Sequence, residues 1–91
     1  MIVNNYVTSD KHILVYSLNS QEKIDFHVHT WPHTLLCIMG KANYFDEHGN
    51  TAILDSSISN HEVIAPANVS HGFSAINGFC IVLNITNKKD M

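Results

Sequence analysis

Positive charge is scarce in this sequence. Only five residues are lysine or arginine, against eight aspartates and glutamates, and two of the five sit together at Lys88-Lys89. A protein that tracks a phosphate backbone needs a clustered basic footprint, so the composition argues against nucleic acid as a direct partner. Long apolar runs are missing too, and none reaches the length that crosses a bilayer. The opening Met1-Ile2-Val3-Asn4-Asn5-Tyr6 has neither the charged start nor the apolar stretch of a signal peptide, which makes a cytoplasmic location the default expectation. Cysteine is limited to Cys37 and Cys80, each inside an apolar run, as expected of small buried hydrophobes. Two lone cysteines make neither a disulfide framework nor a zinc-finger pair. A Gly-rich phosphate loop, a nucleophile elbow and a capped helical stripe are all absent.

What is present reads as strands. Ninety-one residues make one domain, 45% of them hydrophobic and only 14% charged. A chain this short buries a limited core, so a closed barrel, a metal or a partner subunit would each help to hold it. Residues 12–18 are β-rich, and 24–30 alternate, with Phe26 and Val28 on one side and His27 and His29 on the other. Trp31-Pro32 interrupts them, because proline cannot donate to a ladder. Further strands are expected at 34–39, 42–46, 51–55 and 62–65. Glu47-His48-Gly49-Asn50 joins one pair, and Asn77-Gly78, a preferred two-residue hairpin turn, joins 72–76 to 79–85. About eight short strands without helices predict an all-β sandwich or barrel with its core at 12–85 and a polar, frayed tail at 86–91.

Histidine is the residue in excess: seven in all, three of them within 27–33. Residues two apart on a strand share a face, so His27 and His29 can direct their nitrogens to one point about 2 Å away. After the turn at Trp31-Pro32, His33 opens a neighbouring strand, and Pro66-Ala67-Asn68-Val69-Ser70 delivers His71 to the start of another. A solitary histidine is more often structural or solvated than a ligand, and Pro32 could turn His33 outward to leave three ligands. His12, His48 and His61 have no partners at ligand spacing and read as surface or turn residues.

Two stretches carry a resemblance. His27-Val28-His29-Thr30-Trp31-Pro32-His33, then six further residues and Gly40, resembles the first motif of the cupin superfamily; Pro66-Ala67-Asn68-Val69-Ser70-His71 resembles the second. The resemblance covers residues 12–85 and implies a small cupin-type barrel (a double-stranded β-helix, or jelly roll) with one divalent transition metal on His27, His29, His33 and His71. Three positions depart from the pattern. His33 replaces the usual glutamate, Asn68 replaces a glycine, and Ala75 replaces a closing asparagine. Asparagine tolerates a positive φ, so Asn68 is a mild change. A histidine in place of glutamate removes a negative charge, leaving four neutral ligands and the full charge on the ion, which favours an anionic ligand or hydroxide. Imidazole suits Zn, Ni, Fe and Cu alike.

Alternation places Leu35, Cys37 and Met39 on the face of His33, and with Phe73, Phe26 and Trp31 they suggest a mostly apolar pocket for a small molecule; for Leu35 and Phe73, simple filling of the barrel is the alternative. Tyr16, Tyr44, Asp46 and Glu47 lack the spacing that marks a general acid or base, and Tyr44 and Asp46 could equally lie at a dimer edge. The catalytic residues are therefore unknown. The resemblance admits a metal-dependent enzyme, either an oxygenase or a Lewis-acid lyase, isomerase or cyclase, working on a small molecule. It equally admits a metal- and ligand-sensing module without catalysis, or a barrel stapled by its metal. It also implies a homodimer formed through edge strands.

Overall fold

The computed structural model describes Met1–Met91. Nine strands follow in order: β1 (Ile2–Val7), β2 (Lys11–Leu18), β3 (Lys23–His27), β4 (His33–Met39), β5 (Lys41–Asp46), β6 (Thr51–Asp55), β7 (Glu62–Ala65), β8 (His71–Ala75) and β9 (Cys80–Asn87). They pair antiparallel into a five-stranded sheet, β1-β2-β9-β4-β7, and a four-stranded sheet, β3-β8-β5-β6. The two sheets form the barrel that the strand pattern predicts, in the jelly-roll form that the resemblance implies. No helix is long and apolar enough to cross a membrane.

Alternation along the strands builds the interior. In β9, Cys80, Val82, Asn84 and Thr86 are buried while the residues between them are half-exposed, and in β5 Ala42, Tyr44 and Asp46 point inward. Eleven apolar side chains form one cluster between the sheets. Leu18, Leu35, Leu54 and Phe73 are almost wholly buried, and burying each contributes about 1.5–3 kcal/mol. Both cysteines are free and buried, as the apolar runs around them predict. Burial pushes the Cys80 thiol up to about 11, which leaves it without thiolate character.

Two glycines are required by the approach of neighbouring backbones. Gly40 takes φ +70° between β4 and β5, and a Cβ there would lie 2.3 Å from the Phe79 carbonyl oxygen. At Gly72, beside His71, a Cβ would meet the Ile24 carbonyl oxygen at 2.4 Å and the Phe45 ring at 2.7 Å. β3 can therefore cross β8 closely only because position 72 has no side chain. Asn77 and Gly78 both have positive φ, as the hairpin reading requires.

Several elements differ from the sequence reading. Ile2–Val7 is a strand, although its side chains are exposed on both faces, because its ladder to β2 holds it rather than burial. β9 continues through Thr86 to Asn87, and Lys88–Asp90 form a 3-10 turn where a frayed tail is predicted. β3 ends at His27, so Val28 and His29 lie beyond the strand. A register shift between Cys37 and Met39 turns Met39 out to solvent, half exposed, instead of into the barrel. β5 lies between β8 and β6, which places Tyr44 and Asp46 inside a sheet, both buried, and not at an edge.

Candidate metal centre

The end of β3 and the starts of β4 and β8 meet at one end of the barrel. His27 closes β3 and faces His71, the first residue of β8, across their ladder. A register shift between Ile24 and His27 makes that pairing. His33 opens β4 in the other sheet, opposite Ala65 of β7. His29 sits on the connection between β3 and β4. The Asn68 N–H donates to its carbonyl at 2.7 Å, tying that connection to the turn before β8. Asn68 itself has φ +62°, the left-handed conformation that glycine or asparagine accepts. The same turn is held from just beyond β5, where Glu47 accepts from the Ser70 N–H at 2.9 Å and donates its own N–H to the Ser70 carbonyl at 2.8 Å.

The four imidazoles come together with one ring nitrogen each, all within 4.8 Å of one another, a cluster that could hold a metal ion. The set is lopsided. His33 and His71 are buried, 4% and 0% exposed, whereas His27 and His29 are half-buried, so the cluster is more open on their side. Trp31 stacks on His29 with centroids 5.2 Å apart, which sets an aromatic ring against the open side, whereas Phe26 meets Phe45 at 5.1 Å on the outer face of the four-stranded sheet.

The hydrogen bonds fix which nitrogens are free. His71 Nδ1–H donates to the Val69 carbonyl and His27 Nδ1–H to the Asp25 carbonyl, each at 2.9 Å. Both Nε2 atoms therefore carry lone pairs, the arrangement that backbone carbonyls impose on metal-binding histidines. His33 Nε2 lies 2.8 Å from His71 Nε2. With no ion between them, His33 has to place its proton on Nε2, and its buried Nδ1 is then left without a partner. A second buried atom is also unpartnered, Asn84 Oδ1, on the amide that neighbours the His33 ring. Moving the His33 proton to Nδ1 would direct it to the side of the neighbouring Asn84 amide and release a second lone pair beside that of His71. The residues thus fit a cation. One change of tautomer would turn both buried nitrogens into ligands.

The electrostatics point the same way. Burial, with the neighbouring imidazoles, pushes His33 down to about 3. Burial likewise lowers His71 and, together with His27, lowers His29. These groups stay neutral near pH 7, as ligands must.

No free acid or base stands beside them. Tyr44 packs parallel to His71 at 6.3 Å, and its hydroxyl donates to Asp46 at 3.3 Å. Burial and the Asp46 charge push that phenol up to about 12. Burial would raise the Asp46 carboxyl, but hydrogen bonds from Asn50, the His48 N–H and Tyr44 hold it below its usual range. Asp46 is a saturated clamp on the β5–β6 turn. The apolar pocket is likewise not formed: Leu35 and Phe73 fill the core. The larger cleft, about 450 Å³, is lined by Ser9, Asp10, Lys11, Asn87, Lys88 and Lys89, away from the cluster. A groove of about 160 Å³ touches His33 beside Pro32 and Ile64. His12 bonds Asn5, His61 bonds the Ile58 carbonyl and His48 is exposed, so these three stay outside the cluster. The sequence reading missed Asn84. A polar residue at an inward position of an apolar strand is the signal that could have found it.

Sequence comparison finds no matching family model and no matching curated protein. Comparison of structures gives clear likenesses. A cupin 2 conserved barrel domain protein from Leptotrichia buccalis superposes with a TM-score of 0.81 at 20% identity, over 96% of this chain and 40% of that one. An RmlC-like cupin protein from Methanocaldococcus jannaschii, with a double-stranded β-helix fold, gives 0.79 at 19%, over 94% and 78%. The chain has the cupin fold. A chain from the structures of the DMSP lyases RdDddP and RnDddQII also shares it, with a TM-score of 0.77 at 14% identity, over 92% of this chain and 42% of that one. At such identities the likenesses establish the cupin barrel, and the chemistry has to be argued from the site.

Proposed function

We propose that this cupin barrel binds one divalent transition metal through His27, His29, His33 and His71 and is a metal-dependent enzyme for a small molecule. The observation that carries the metal is the convergence of four ring nitrogens within 4.8 Å, two of them Nε2 atoms of buried histidines 2.8 Å apart, with His33 Nδ1 and Asn84 Oδ1 left unpartnered. When bound, the ion would supply Lewis acidity or an activated water or dioxygen. The chain's own residues do the rest. His33 and His71 close the inner side against the core, and the backbone carbonyls of Asp25 and Val69 hold two rings in their binding tautomer. Trp31 shields the open side, where a ligand would enter past His27 and His29. Four neutral ligands leave the charge of the cation uncancelled, so the site favours an anionic group such as a carboxylate or an enolate. The DMSP lyase neighbour shows that the fold can carry an enzyme.

A second reading is favoured by a specific observation: the interior is filled and Asp46 is saturated. The metal would then staple the barrel or sense a ligand without turnover. Metal analysis of untagged protein, beside a His27→Ala/His71→Ala variant, tests the site; near-stoichiometric metal present in the first and lost from the second is the expected result. Protein that stays metal-free after incubation with Fe, Ni, Zn and Cu would refute it. Azide added to the Co-loaded protein then separates the readings: a changed visible spectrum supports an open position, and an unchanged one supports the staple.

A further inference from the structure

The largest cavity of the molecule has no part in the metal centre. It is the cleft of about 450 Å³ between the β1–β2 turn and the end of β9, lined by Ser9, Asp10, Lys11, Asn87, Lys88 and Lys89. Small-molecule sites span about 300–1,000 Å³ and are mostly apolar. This cleft has the size, but no hydrophobic residue lines it. An occupant would have to be held by charge and hydrogen bonds.

Positive charge is what the cleft concentrates. All five cationic side chains of the sequence are lysines, and three of them meet here, in a chain whose formal charge is −3. The other two are neutralised: Lys23 pairs with Asp25 at 3.1 Å and Lys41 with Asp55 at 3.7 Å. Lys11, Lys88 and Lys89 take part in no ion pair. Asp10, the one acid in the lining, accepts from the Thr8 hydroxyl at 3.1 Å. Asp90 lines the separate groove beside Pro32 and Ile64. The walls are also fixed. Lys88 N–H donates to the Asp10 carbonyl at 2.9 Å, which ties the 3-10 turn to the β1–β2 turn. Thr8 closes that turn: its N–H donates to the Lys11 carbonyl and its hydroxyl oxygen accepts from the Lys11 N–H, each at 2.9 Å. Lys11 and Asn87 face each other across the β2–β9 ladder, and the Lys11 ammonium donates to Asn87 Oδ1. With its oxygen engaged, the Asn87 amide keeps its NH2 as a donor, and Ser9 adds a hydroxyl.

We infer that this cleft binds a small hydrophilic phosphate ester, of the size and polarity of a sugar phosphate, through Lys11, Lys88 and Lys89. The donor set selects phosphate over carboxylate. A planar carboxylate is best gripped by the fork of an arginine, and the sequence has none. Ammonium groups act as point charges and suit a tetrahedral oxyanion carrying close to two negative charges. The polar lining also offers no ring on which a nucleobase could stack. The inference does not depend on the metal.

Titration of the 15N-labelled, untagged chain with glucose 6-phosphate in about 0.15 M salt, followed by amide chemical shifts, tests it. The shifts should saturate with a midpoint below about 1 mM and centre on residues 9–11 and 87–89. Lys88→Ala/Lys89→Ala should weaken binding about 25-fold, at roughly fivefold for each close charge in water. Lys23→Ala/Lys41→Ala removes as much charge elsewhere and should stay within about twofold, because distant charges are screened. Glucose should not bind, and citrate should bind more weakly than the sugar phosphate. Absence of saturation up to about 10 mM would overturn the inference. So would equal weakening by the two double variants, which would reduce the effect to net charge. Shifts confined to residues 27–33 and 71 would place the anion at the histidine cluster instead, and citrate binding as tightly as the sugar phosphate would overturn the choice of phosphate. If Lys88→Ala/Lys89→Ala fails to fold, the map of shifts on the unaltered chain decides.

Discussion

Asn84 offers a test in which stability and metal affinity move in opposite directions. Its side chain is 7% exposed, and its Oδ1 has no partner. Replacing it with leucine, close in size, removes a buried acceptor that the metal-free chain does not satisfy. An unpaired buried polar group costs about 1–3 kcal/mol, and lost contact with Tyr16, whose hydroxyl also neighbours this amide, offsets part of that gain. Metal-free Asn84→Leu should therefore be as stable as the wild type or about 1 kcal/mol more stable in urea denaturation. In the proposed metal-bound state the same oxygen would accept from His33 Nδ1–H. Its loss should weaken metal binding by about 10–100-fold, the usual effect of removing a partner behind a ligating histidine. Asn84→Asp keeps an acceptor and should retain affinity. Competition titration with a chromogenic chelator measures all three proteins. Unchanged affinity in the leucine variant would refute the tautomer argument, and a large loss of metal-free stability would show that Asn84 is structural.

Two further predictions come from the same geometry. His33 protonates near 6.5 in an unfolded chain but only at about 3 in the fold, and His29 and His71 are shifted in the same direction. The unfolded state thus takes up protons first, so metal-free stability should be full above pH 6.5 and fall progressively towards pH 3; a urea midpoint that stays flat between about pH 7.5 and 5, before carboxylates titrate, would contradict this. Gly72→Ala should cost about 1–3 kcal/mol through overpacking against the Ile24 carbonyl and the Phe45 ring, and should lower metal affinity by moving β3 and His27; thermal denaturation beside the chelator titration checks it, and a variant with wild-type values in both would show that β3 does not press on β8.

The sequence by itself determined the strand pattern and the residues of the cluster. Period-two alternation, the Asn77-Gly78 turn and the absence of any helical stripe are local properties, so they can be read from neighbours along the chain. His27, His29, His33 and His71 stood out because ligand chemistry needs that residue type and the turns bring their strands to one end. What the sequence could not determine depends on pairs far apart in it. β1 carries no burial pattern, since only the ladder to β2 defines it. Met39 points outward because β4 slips against β9, more than forty residues away. Asn84 looks like any polar residue in a strand until β4 and β9 pair and set its amide beside His33. The same holds for Asp46, whose role as a clamp depends on donors that the β5–β6 turn folds back upon it. Alternation assigns a side chain to a face, but only the packing of two sheets decides what that face meets.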